Sequence, residues 1–155
     1  MSYLLGKRSR KELEGVHPDL VRVVERAIEI TQQDFSVHDG LRTIAEQRRY
    51  VEKGVSKTMD SKHLQQKDHY GHAVDLVPYI NGKLRWEWDA IYPIARAVRK
   101  AATELGVKIR WGGCWRNITG TTLGLKFLRD EYAERRRKQG RRPSLDGPHF
   151  EIILK

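Results

Sequence analysis

The 155-residue chain predicts an α+β fold, a small and mostly antiparallel sheet flanked by helices. Three observations carry this. Helical periodicity comes first, short β-rich runs follow, and the chemistry-bearing residues cluster around those runs.

From Pro18 the pattern is helical, with Leu20, Val23, Val24, Ala27 and Ile28 sharing one face. Phe35-Ser36-Val37 reads as a strand entering the turn Asp39-Gly40. Thr43 to Lys53 is a second helix: Thr43 and Glu46 make a capping-box pattern, and Gly54 stands where a C-terminal cap belongs. Val55 to Tyr70 is polar and aperiodic, hence a loop. Ala73 to Val77 is a strand and Asn81-Gly82 a hairpin turn. Asp89 to Leu105 is the clearest helix, its face built from Ile91, Ile94, Ala95, Val98, Ala102 and Leu105, and Gly106 stops it. Val107 to Trp111 is a strand, Leu123 to about Gln139 a charged helix with Leu125, Leu128 and Tyr132 on its thin apolar side, and Phe150 to Leu154 a final strand of alternating character.

Composition bounds the function. One domain fits the length, and 39% hydrophobic residues suffice for a core. No apolar run is long enough for a membrane span, and the N-terminus has no apolar core for a signal peptide, so the expectation is a product kept in a cytoplasm until something releases it. A single cysteine, Cys114, excludes an internal disulfide and a cysteine cage, and reads as a buried thiol. The net charge of +10 asks for a polyanionic neighbour: nucleic acid, anionic lipid or wall polymer. Half of it sits between Lys126 and Arg142, with eight basic residues against three acidic.

The chemistry-bearing residues fall in three separated segments, Ser61-Lys62-His63, Gly71-His72-Ala73-Val74-Asp75 and Asp146-Gly147-Pro148-His149. Two histidines and an aspartate, with a spare carboxylate beside the last histidine, are the donor set of a catalytic zinc site on a sheet. Three ligands leave a position for water, and a nearby carboxylate takes its proton. Spacing alone equally allows an Asp-Gly turn followed by an ordinary strand histidine.

Taken in order, these segments resemble the zinc signature of the D-Ala-D-Ala carboxypeptidase and L-alanyl-D-glutamate endopeptidase family, and the chain is similar to the short phage endolysins within it. Gly6-Lys7-Arg8-Ser9, Asp39-Gly40-Leu41-Arg42-Thr43, Val77 to Lys83 and Arg110-Trp111-Gly112-Gly113 fall in the family's order. The resemblance implies zinc on His63, Asp75 and His149, Asp146 as general base, and Arg42 as oxyanion stabiliser or substrate anchor. Ser61 would support the site by hydrogen bonding and His72 would lie behind it or be exposed. The implied function is cleavage of peptidoglycan stem peptides by a lysin held in the host bacterial cytoplasm until lysis, acting then in the periplasm. The bond favoured is L-alanyl-D-glutamate, and a monomer is expected. Without the family, Arg42 reads as a surface arginine at a helix start.

Two departures stand out. The family places its first histidine three residues before the glycine; here His63 lies eight before Gly71. Asp68 takes the strict position with His69 beside it, so His63 and His69 both compete for the ligand role, and the intact Ser-Lys-His-Leu context favours His63. The second departure is a basic helical insertion at about 117–144 within the single 1–155 domain, suited either to anionic wall polymers and lipopolysaccharide phosphates or to plain solvation. His17 and His38 look structural. Trp86, Trp88, Trp111 and Trp115 suit either a cleft or the core. A basic nucleic-acid-binding module using Arg135 to Arg142 is the alternative function. It lacks a binding motif and leaves the ligand set unexplained, so no specific nucleic-acid partner is expected.

Overall fold

A computed structural model describes residues 2–154. Its elements are, in order, α1 (Lys7–Glu12), α2 (Pro18–Ile30), β1 (Phe35–Asp39), α3 (Ile44–Glu52), β2 (Ala73–Ile80), β3 (Lys83–Leu84), α4 (Trp88–Leu105), β4 (Ile109–Trp111), β5 (Arg116–Asn117), α5 (Leu125–Lys138) and β6 (His149–Ile152). The strands form one sheet, β1-β2-β6-β4-β5, with β3 hairpinned onto β2, and every strand pair is antiparallel.

One face of the sheet is a conventional core. Phe35 and Val37 of β1, Val74 and Leu76 of β2, Ile109 and Trp111 of β4, and Phe150 and Ile152 of β6 point toward α2 and α4. The helices answer with the predicted stripes, Leu20 to Ile28 on α2 and Ile91 to Ala102 on α4. Side chains of this size each contribute about 1.5–3 kcal/mol on full burial, so this layer dominates the stability.

Local signals place the ends of the elements. Pro18 opens α2, and His17 caps it by accepting the Asp19 N–H at 3.1 Å. Both halves of the α3 capping box form, Glu46 N–H to Thr43 at 3.0 Å and Thr43 N–H to Glu46 at 2.8 Å. Gly106 ends α4 in the left-handed conformation.

Several elements differ from expectation. α1 is short, with two basic residues in its last turn, and is anchored through Ser9, whose hydroxyl accepts the Val37 N–H at 3.0 Å. Too few apolar residues repeat there to register as periodicity. β5 is a two-residue strand set by the turn that precedes it. β6 does not alternate between buried and exposed: all four of its residues are buried, and on its second face His149 is covered by His63 and Trp115. α5 follows expectation, burying its predicted apolar side Leu125, Leu128 and Tyr132 together with Ala133, and the preceding Ile118 is fully buried.

Candidate metal centre

Strand register builds the site. Asp39 on β1 is the partner of Asp75 on β2, and Asp75 is the partner of His149 on β6. Three chemistry-bearing residues therefore stand in a row across the sheet, on the face away from the helical core. A slip of one residue would turn Asp75 or His149 into that core. The fourth member, His63, arrives from the loop between α3 and β2. It is pinned by its neighbours: the His63 carbonyl accepts from Arg42 N–H at 2.8 Å, and the Lys62 carbonyl from His72 N–H at 2.7 Å. Ser61 Oγ accepts the His63 N–H at 3.1 Å.

Donor atoms of His63, Asp75 and His149 all lie within 4.8 Å of one another. Asp75 Oδ1 is 3.3 Å from His63 Nε2 and 3.5 Å from His149 Nδ1. Ligand bonds of about 2.1 Å in a tetrahedral array put donor atoms about 3.4 Å apart, so the spacing suits an ion at the centre. A second observation agrees. Asp75 Oδ1 is buried and has no hydrogen-bond partner, which is costly for a carboxylate unless a cation meets it.

The two histidines present different nitrogens. His63 Nδ1 lies 2.9 Å from the Gly40 carbonyl, which can only accept, so Nδ1 carries the proton and Nε2 faces the centre. His149 is reversed: Nε2 lies 2.8 Å from Glu151 Oε1, and Nδ1 faces Asp75. Glu151 is itself buried and takes Arg110 Nη1 on its other oxygen at 3.0 Å.

Electrostatics follow from this packing. Burial opposes the Asp75 charge, but His63 and His149 outweigh it and hold the carboxyl far below its ordinary value. Burial likewise opposes a cationic His149, yet its contacts with Asp75 and Glu151 push it up to about 10 in the ion-free protein. Asp146 goes the other way. The residue has exposed surface, but its carboxyl is crowded at the cleft end, and desolvation together with the Asp75 charge raises its pKa. A carboxylate of raised pKa beside a ligand set is suited to holding a proton.

Arg42 is fixed on four sides. Nε donates to Asp39 at 2.6 Å and Nη1 to Gln47 at 2.7 Å, Nη2 stands 3.6 Å from Asp75, and the guanidinium lies 4.5 Å from the centre of the Tyr50 ring. Gln47 is fully buried and passes its amide to the Thr58 carbonyl at 2.7 Å, tying α3 to the cleft loop. Trp115 tilts over His149 with ring centroids 5.2 Å apart, and its N–H donates to the Ser144 carbonyl at 2.6 Å. The cleft encloses about 640 Å³; Trp86, Lys57, Lys62 and Leu145 also line it.

His63, Asp75, His149, Asp146, Arg42 and Ser61 thus line one cleft. His72 does not join them. It turns to Asp68, 2.8 Å away, with His17 3.9 Å from the same oxygen. His17 Nδ1 accepts a backbone N–H, so its Nε2 is protonated and this second grouping is a clasp rather than a ligand set. His69 is exposed with φ 73° and lies outside the donor group. The extra loop closes on itself through Gln66 N–H to Tyr70 and His69 N–H to Gln66, both 2.9 Å, which leaves His63 in position. His38 packs edge-on to Trp86 at the rim. Trp111 is core and Trp88 packs against it, whereas Trp86 is exposed.

Glu151, Asp39 and Gln47 were missed by sequence reasoning. Glu151 had a signal: it is two residues after His149, hence on the same face of any strand. Asp39 read only as a turn residue, and nothing local marks Gln47.

The model of the family described as phage L-alanyl-D-glutamate peptidase matches residues 1–153. The chain belongs to that family. It is 35% identical over 157 aligned residues to the L-alanyl-D-glutamate peptidase of Escherichia phage T5, covering 99% of this chain and 100% of that one. Among solved structures it is similar to the Serratia marcescens L-Ala D-Glu endopeptidase ChiX, with a TM-score of 0.69 and 38% identity, over 99% of this chain and 90% of that one. The family match runs through residues 117–144, in keeping with the way α5 is packed into the core.

Proposed function

We propose that this family member is a zinc-dependent endopeptidase that cuts the L-alanyl-D-glutamate bond of bacterial peptidoglycan stems. The observation that carries the reading is the orphaned Asp75 Oδ1 between two histidine nitrogens, at spacings that suit a tetrahedral ion. His63 Nε2, Asp75 and His149 Nδ1 would hold the zinc, which would supply Lewis acidity at the scissile carbonyl and lower the pKa of a bound water toward about 7.

The remaining work falls to side chains of the cleft. Asp146 takes the proton of the attacking water and returns it to the leaving amine, a role its raised pKa favours. Arg42, held rigid by Asp39 and Gln47, keeps Nη2 facing the centre, where a preorganised cation stabilises developing negative charge without reorganising. Ser61 fixes the backbone that carries His63. The single 1–155 domain acts as a monomer, made in the host cytoplasm and delivered to the wall at lysis. The basic end of α5 meets anionic wall phosphates.

The test is direct. Purified protein clears peptidoglycan suspensions, stops when a chelator removes its metal, and resumes with added zinc. Mass spectrometry of the digest shows new N-terminal D-glutamate. Clearing indifferent to chelation, or release of D-alanine alone, overturns the reading.

A further inference from the structure

Glu151 lines the cleft beside His149 but meets that ring only at the nitrogen turned away from Asp75, and it is 5% exposed and fully engaged. A carboxylate in that position is costly to bury unless it is paired and hydrogen-bonded. Both its oxygens are spoken for: Oε1 by His149 Nε2 at 2.8 Å and Oε2 by Arg110 Nη1 at 3.0 Å. The three residues are assembled by register. His149 and Glu151 share a face of β6, and Arg110 on β4 is the direct partner of Glu151.

We propose that Glu151, braced by Arg110, is a positioning residue that selects which nitrogen of His149 binds the metal. A neutral imidazole carries one ring proton and offers the other nitrogen as a donor. A carboxylate at Nε2 holds the proton there, which frees Nδ1 toward Asp75 and fixes the ring plane. The negative charge behind the ring also makes Nδ1 a stronger donor. His63 solves the same problem with the Gly40 carbonyl and the opposite nitrogen. The site thus pairs one histidine oriented by a neutral acceptor with one oriented by a charged acceptor. Arg110 is half-exposed, with 41% of its side chain accessible, so it braces the carboxylate from the solvent side of the sheet without closing the centre.

The inference rests on the metal reading above, and the experiment separates the two. Zinc affinity is measured by competition with a chromophoric chelator for wild type, Glu151→Gln, Glu151→Leu and Arg110→Met, each checked for folding by near-ultraviolet circular dichroism. Glu151→Leu should lose roughly 10- to 100-fold in affinity, the range typical of a lost partner behind a histidine ligand. Glu151→Gln keeps an acceptor for Nε2–H and should recover most of the loss; Arg110→Met should cost less than Glu151→Leu. Nitrogen-15 spectra of the zinc-loaded wild type should show His149 protonated at Nε2. Wild-type affinity in folded Glu151→Leu, or a proton on Nδ1, overturns the proposal. If Glu151→Leu does not fold, the nitrogen-15 spectra still decide it. A wild type that binds no zinc overturns the metal reading instead.

Discussion

His63 and Asp146 illustrate how much a single side chain depends on what lies behind it. Asp146, the proposed base, is not among the converging donor atoms, so Asp146→Ala should abolish turnover while retaining stoichiometric zinc. His149→Ala should lose the metal, and so should His63→Ala, whereas His69→Ala should keep it; metal analysis of the four purified variants checks this. Zinc loss in His69→Ala alone would reassign the ligand. His149 also sets a pH dependence. Its pKa in the ion-free fold is raised from 6.5 to about 10. The stabilisation is therefore complete below about pH 6.5 and fades as pH climbs toward 10. The metal needs the neutral ring, so uptake at pH 7.5 should release about one proton. Titration calorimetry in buffers of different ionisation enthalpy reads that number directly. At this scale the sequence exposed the residues that converge on the cleft but not their supports. Glu151 and Gln47 act through contacts that only folding creates, and a five-residue expansion left the choice between His63 and His69 to tertiary structure.

Elements position the site through close backbone approaches. Gly112, just past β4, carries the clearest one. A Cβ there would collide with the Asp146 carbonyl and sit 3.0 Å from His149 Cβ. The same glycine donates to the His149 carbonyl at 2.8 Å and accepts the Asp146 N–H at 2.9 Å, so one residue holds both the proposed base and a proposed ligand. Gly112→Ala should displace the 144–149 segment, weakening zinc binding and lowering kcat together, with melting temperature reduced by a few degrees. Unchanged kinetics in that variant would mean the segment is not positioned by this contact. Elements with strong local signals were legible: the α3 cap box, the α4 stripe ending at Gly106, the Asn81-Gly82 turn. α1 and β5 were not, because they are shorter than one period of the pattern that would announce them. The burial of all of β6 was hidden too, since a strand roofed by a polar cleft looks, in sequence, like one facing water.

At the scale of the whole molecule, charge is unevenly invested. The acidic residues of α5 are partly used locally, Asp130 by Lys126 and Arg129 and Glu131 by Arg116. The basic end from Arg135 to Arg142 has no comparable partners among the described residues. Binding to intact, anionic walls should weaken steeply between 50 and 300 mM salt, roughly as surface charges are screened, while hydrolysis of a small soluble muropeptide should change far less. Sedimentation and turnover assays at matched salt concentrations check the contrast, and equal salt sensitivity for both substrates would remove any role for the patch. Overall charge was plain in composition; which cations find acidic partners and which do not was not. The row Asp39–Asp75–His149 carries one more consequence. An ion held by His63, Asp75 and His149 would take its ligands from the middle of the chain and from its last strand, joined by the pairing of β2 with β6. Metal capture would therefore await the most distant contact in the sheet and would then fasten that contact. The ion proposed to equip the cleft would report, by its affinity, whether the chain has closed at all.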